Sequence, residues 1–188
     1  MPLDDFRGRM NKIWGIVVAT LVVVSLAMAV GFTVLADTDD DRGARSFRAR
    51  LTGYQDTPST LSSPGSGTLR LRFSSDGQSA TYTLEYSGLS GVTASHIHLG
   101  ARGTTGGVII FLCDTAENAI PNCPASAGTV SGTLTPAGVI GPGSQGIAAG
   151  EWDEFVAALR AGFTYANVHT GAFPGGEIRG QISPSGGD

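Results

Sequence analysis

The sequence predicts an all-β domain, an immunoglobulin-like β-sandwich or barrel with one short helix, behind an N-terminal transmembrane or signal helix. Three features carry that expectation. Glycine fills 28 of the 188 positions, and it permits the positive φ of tight turns while weakening helices. Short segments alternate apolar and polar residues with period two, as half-buried strands do. Between them lie clusters of Gly, Pro, Ser and Asp that read as turns.

The chain begins with a separate element. Residues 13–36 read IWGIVVATLVVVSLAMAVGFTVLA, 24 positions without a charge. As a helix this run rises about 36 Å, enough for a hydrocarbon core of roughly 30 Å. Arg7, Arg9 and Lys12 precede it and the acidic run Asp37-Thr38-Asp39-Asp40-Asp41 follows. The positive-inside bias then keeps residues 1–12 cytoplasmic and exports the remainder. Either an uncleaved anchor or a removed signal peptide fits, and both export the domain; the run exceeds the usual length of a signal-peptide core. Residues 37–45 read as a linker, 46–183 as the β domain and 184–188 as a flexible tail.

Strands are expected in order. In SFRARLTG, Phe47, Ala49 and Leu51 share one side; in GTLRLRF, Leu69, Leu71 and Phe73 oppose Arg70 and Arg72; in ATYTLEYSGL, Tyr82, Leu84 and Tyr86 do the same. Asp76-Gly77 marks the hairpin turn between the second and third strands. SHIHLG forms a fourth strand, GVIIFLC an apolar and central fifth, and GTVSGTL a sixth. GEWDEFVAALRAG then breaks the period. Trp152, Phe155, Val156 and Leu159 fall at helical spacing, Asp153 and Glu154 suit the first turn, and Gly162 suits the stop. FTYANVHT and GEIRGQI supply two final strands.

Composition narrows the partners. Net charge is −4, and without the first 36 residues 9 basic side chains face 14 acidic ones. Lys12 is the only lysine. Nucleic acid, which needs clustered cations against its phosphates, is therefore not expected as a partner. Cys113 and Cys123 bracket a short loop rich in turn formers, and in an oxidising compartment they form a disulfide. Closing about ten residues contributes roughly 2–3 kcal/mol. The glycines of GARGTTGG lack the Gly-Lys-Ser/Thr and the following helix of a phosphate loop. No Gly-x-Ser-x-Gly elbow offers a nucleophile. No catalytic residue is expected, and the chain reads as non-enzymatic.

Three stretches resemble the chordin-type (CHRD) domain family: ASHIHLGARGTTGGVIIFLC, AGEWDEFVAALRAGFTYANVHT and AFPGGEIRGQI. The likeness runs from about Ser46 to Ile182. It implies an all-β, immunoglobulin-like or barrel-like module of the kind found in exported bacterial proteins and in chordin, with no general activity attached. The cysteine-rich modules that accompany these domains in chordin are absent, so growth-factor antagonism is not carried over.

Two of the three histidines sit one residue apart. In a strand, His96 and His98 share a face, and by the same parity His169 lies with Tyr165 and Asn167, while Glu177 and Arg179 occupy the polar side of the last strand. Two readings stay open. His96, His98 and His169 converge on copper or zinc, with Glu177, Arg179 and Asn167 orienting them from behind. Alternatively they form a structural polar cluster that ties down the glycine-rich loop, and Glu177–Arg179 is an exposed ion pair worth under about 1 kcal/mol. The His-x-His pattern is similar to that of copper-zinc superoxide dismutases, whose remaining ligand pattern this sequence lacks. The functional expectation is an exported cell-surface binding or structural module with an unknown extracellular or envelope protein partner. Its rivals are a copper or zinc protein, with or without redox activity, and an adhesion or matrix-interaction domain.

Overall fold

A computed structural model of the chain describes residues 44–116 and 121–186. Residues 1–12, expected to be cytoplasmic, the apolar run 13–36 and most of the expected 37–45 linker lie outside the described residues. Among the described residues, no helix is long and apolar enough to cross a membrane.

The body is all-β. Its strands are β1 (Ser46–Thr52), β2 (Ser66–Phe73), β3 (Ala80–Ser87), β4 (Val92–Leu99), β5 (Val108–Asp114), β6 (Gly128–Leu134), β7 (Thr164–Thr170), β8 (Ile178–Gln181) and the short β9 (Ser183–Pro184). They join in one antiparallel sheet ordered β5-β4-β7-β8-β1-β2-β3-β6, with β9 added beside β1. This single sheet curls into a nearly closed barrel rather than dividing into the two facing layers of a sandwich. The barrel is thus the half of the expectation that the structure selects.

The alternating segments build it as their pattern dictates. In β1, Phe47, Ala49 and Leu51 are buried while Arg48 and Arg50 are exposed. Leu69 and Leu84 stand directly opposite one another across β2 and β3 and belong to the same core as Ile97, Val168 and Ile178. The β2–β3 turn is closed by the Asp76 carboxylate, which accepts hydrogen bonds from Ser74 Oγ (2.6 Å) and the Gln78 amide (3.0 Å).

The one α-helix among the described residues, α1 (Trp152–Arg160), buries Trp152, Phe155, Val156 and Leu159. Its Trp152 ring packs edge-on against Phe73 and donates its indole N–H to the Gly77 carbonyl at 2.8 Å. The helix is thereby docked on the β2–β3 hairpin. It stops at Gly162, whose φ of +78° is one that glycine adopts without strain.

The two ends of the sheet, β5 and β6, form the seam of the barrel. Tyr82 on β3 donates its hydroxyl to the Leu112 carbonyl on β5. The Ile140 amide donates to Ile109 at 2.9 Å and the Asp114 amide to Pro121 at 3.2 Å. Beside them, Cys113 and Cys123 form a disulfide.

Candidate metal centre

Site geometry starts with strand pairing. β4 and β7 are antiparallel neighbours, with Ala94 opposite His169, His96 opposite Asn167 and His98 opposite Tyr165. Asn167 in turn faces Arg179, and Tyr165 faces Gln181, on β8. The side chains that sequence parity assigns to the polar faces of three strands therefore meet on one outer patch. On the other flank of β4 the ladder to β5 shifts register twice, between Ser95 and His96 and between Ile97 and His98. Such irregularities re-aim side chains.

This patch is not solvated. Every residue of β7 is buried, on both faces. Three loops cover its outer side. The 100–107 loop delivers its backbone to His98 and to Tyr165, whose hydroxyl accepts the Gly106 amide at 3.1 Å. The 171–177 loop places the Gly175 carbonyl at 3.4 Å from Asn167 Nδ2. The 53–64 segment brings Asp56, Thr57 and Ser63. Gly106 has to be glycine: a Cβ there would lie 1.5 Å from the Leu99 carbonyl oxygen.

His98 Nδ1 lies 3.0 Å from the Gly106 carbonyl, and His169 Nδ1 lies 3.0 Å from the Pro174 carbonyl. A carbonyl only accepts, so each of these nitrogens carries the proton, and each Nε2 is left with a lone pair. His96 Nδ1 stands 3.2 Å from His169 Nε2 and so donates to it. Both His96 Nε2 and His98 Nε2 are buried without a hydrogen-bond partner. One ligating nitrogen from each ring lies within 4.8 Å of the others.

Electrostatics keep all three rings neutral. Burial, helped by the neighbouring His169 and His98, pushes His96 down to about 3. Burial is also the main reason that His98 falls to about 4, against the opposing hydrogen bond to Gly106. His169 is lowered by burial too, while Asp56 and the Pro174 carbonyl pull the other way. Neutral imidazoles with carbonyl-anchored Nδ1–H groups are the form that binds metal, and the anchoring carbonyls are the usual outer partners of such ligands.

The surroundings hold the rings in place. His98 stacks on Tyr165 with centroids 4.8 Å apart and planes 6° from parallel. The guanidinium carbon of Arg179 lies 3.5 Å from the Tyr165 centroid. His96 meets the edge of Phe111 at 4.2 Å.

Glu177 and Arg179 correct the exposed ion-pair expectation. They are only 7% and 2% exposed, because the loops close over the outer face of β7 and β8. Glu177 accepts hydrogen bonds from Ser63 (2.6 Å) and Thr170 (2.7 Å), which pins the 53–64 segment to the end of β7. Arg179 donates to Thr57 Oγ1 and to the Ala101 carbonyl at 3.1 Å. Asn167 donates to Asp56 at 3.5 Å. Asp56, Tyr165 and the carbonyls of Gly106 and Pro174 are site components that sequence reasoning missed. Tyr165 alone had a signal, sharing parity with His169; the others sit in loops whose path no pattern announces.

No curated protein matches the chain. The CHRD domain matches residues 47–182, a span that contains the barrel and all three histidines. That family comprises binding and structural modules. The chain, barrel and covered histidine patch together, belongs to the CHRD domain family.

Proposed function

We propose that the chain is an exported, cell-surface CHRD module without catalytic activity, and that its binding function is to hold one copper or zinc ion through His96, His98 and His169. The observation that carries this reading is the pair of buried Nε2 lone pairs, on His98 and His169, whose tautomers backbone carbonyls impose. Leaving a buried acceptor such as His98 Nε2 unpartnered costs about 1–3 kcal/mol, a cost that a bound cation removes.

His96 joins by changing tautomer. Its proton moves from Nδ1 to Nε2, so the ring stays neutral, and Nδ1 is freed as a ligand beside the Nε2 atoms of His98 and His169. Ligands about 2.0–2.1 Å from a tetrahedral ion stand roughly 3.3 Å apart. The His96–His169 pair, at 3.2 Å, is already at that spacing. Arg179 opposes a cation here, and Asp56, which lies within electrostatic reach of both His169 and Arg179, offsets it. Imidazole donors without thiolate or carboxylate suit copper and zinc over magnesium or calcium. Export is supported by the charge asymmetry around residues 13–36 and by the Cys113–Cys123 disulfide, which persists in oxidising compartments.

The test is elemental analysis of the purified full-length chain after loading with copper or zinc and desalting. One ion per chain is expected, with loss of that ion in His98→Ala and retention in Arg72→Gln. A wild-type chain that stays metal-free after loading with each ion in turn overturns the proposal.

A further inference from the structure

The outer face of β1 and β2 gathers the basic side chains of an otherwise acidic protein. Eight arginines fall among the described residues. Arg48 and Arg50 project from β1, Arg70 and Arg72 from β2, and all four are exposed. Arg48 and Arg70 stand directly opposite one another in the ladder. Arg102, exposed on the 100–107 loop, joins Arg48, Arg50 and Arg70 around one open groove of about 950 Å³. Among the described residues lining it Glu85 is the one carboxylate, 3.5 Å from Arg70. The acids Glu151, Asp153 and Glu154 line a different depression, at the start of α1.

We infer that this groove binds an acidic polysaccharide, a polymer bearing carboxylate or sulfate groups at regular intervals. Guanidinium forks match the planar oxygen pairs of both groups. Arginines two residues apart on a strand, and opposite each other on neighbouring strands, place positive charges roughly 5–7 Å apart, a ladder suited to a repeating anion. Thr68, opposite Arg50, and Ser66 line the same groove as hydroxyl partners for sugar hydroxyls. Single-stranded nucleic acid is disfavoured because, among the described residues, the groove offers no exposed aromatic ring for base stacking: Tyr86, the aromatic residue in that described lining, is 4% exposed and donates its hydroxyl to Pro124. An anionic bilayer is disfavoured because the surface is concave and presents no large exposed apolar side chain for insertion. The inference is independent of the metal centre.

The experiment measures binding of the full-length chain, in neutral detergent, to immobilised alginate (carboxylate), heparin (sulfate) and uncharged dextran. Binding to alginate, heparin or both is expected, weakening as salt rises, with dextran inert; which polymer is preferred identifies the anionic group. The triple variant Arg50→Gln, Arg70→Gln, Arg102→Gln changes exposed side chains only, and is expected to bind at least about tenfold more weakly with an unchanged melting temperature. Arg102→Glu, a loop change, weakens binding by itself. Chelator-treated and copper- or zinc-loaded protein bind the polymer equally, so failure of the metal reading leaves this one standing. Absence of binding to both acidic polymers at low salt overturns the inference. So does equal binding by the triple variant, equal binding to dextran, or stronger binding to phosphatidylglycerol vesicles or single-stranded DNA.

Discussion

Two sides of one sheet treat their outward residues in opposite ways. Over β1 and β2 the outer face is open, and Arg48, Arg50, Arg70 and Arg72 stand in water as alternation dictates. Over β4, β7 and β8 the same parity sends His98, Tyr165, Asn167, His169 and Arg179 outward, yet loops close over them and all five are buried. A strand's period decides which side a residue takes; what lies across from that side decides whether it is solvated. On the covered side each polar atom needs a partner, and the strength of that demand is why the tautomers of His98 and His169 are determined. On the open side the arginines are exposed to solvent and within reach of an external anion.

Acid should separate the two sides most. His96 and His98 titrate at about 3 and about 4 in the folded protein, against 6.5 when exposed. The unfolded chain therefore takes up protons first as pH falls below 6.5, and stability is lost from there down toward pH 4. For each ring the folding equilibrium falls by up to about tenfold per pH unit. Asp56 is raised by burial, so it gains its proton earlier in the folded protein and offsets part of the loss in the carboxylate range. Denaturant midpoints of the metal-free protein between pH 7 and 4 measure this; a flat profile contradicts neutral, buried rings.

Truncation sharpens the same contrast. Arg179→Ala removes the guanidinium from Tyr165 and leaves the Ala101 carbonyl and the Thr57 hydroxyl without their donor. A loss of about 3 kcal/mol is expected by chemical denaturation, together with weaker metal retention because Tyr165 no longer holds His98 flat. At the small end, Arg72→Gln on the open side should change stability by less than about 0.5 kcal/mol. Similar losses for Arg179→Ala and Arg72→Gln would erase the distinction between the sides.

How much of this was legible follows from the same physics. Phe47, Leu69, Leu84 and their neighbours announce their burial because residues beside them are exposed, so alternation reports both faces. In β7, Thr-Tyr-Ala-Asn-Val-His-Thr carries a period-two pattern too, but its polar members are buried by segments at 53–64, 100–107 and 171–177. Two of these are distant in sequence, and their courses are set by tertiary packing and not by any local signal. Hence Glu177 and Arg179 look like a surface pair and are instead interior anchors. The shared face of His96 and His98 could be read from parity, whereas the arrival of His169 beside them depends on β4 pairing with β7, 73 residues apart in the His96–His169 contact. Asp56, in a loop with Thr and Pro after it, carried no pattern at all. A single continuous sheet, too, is a property of pairing order that short strands and turns leave undetermined.

The seam between β5 and β6 bears on how two copies of the domain meet. An unpaired strand margin invites a neighbour to add its own strand and begin a fibre. Here that margin is stopped up by Tyr82, by the amides of Ile140 and Asp114, and by the Cys113–Cys123 disulfide. Two copies that touch are thereby kept from zippering together.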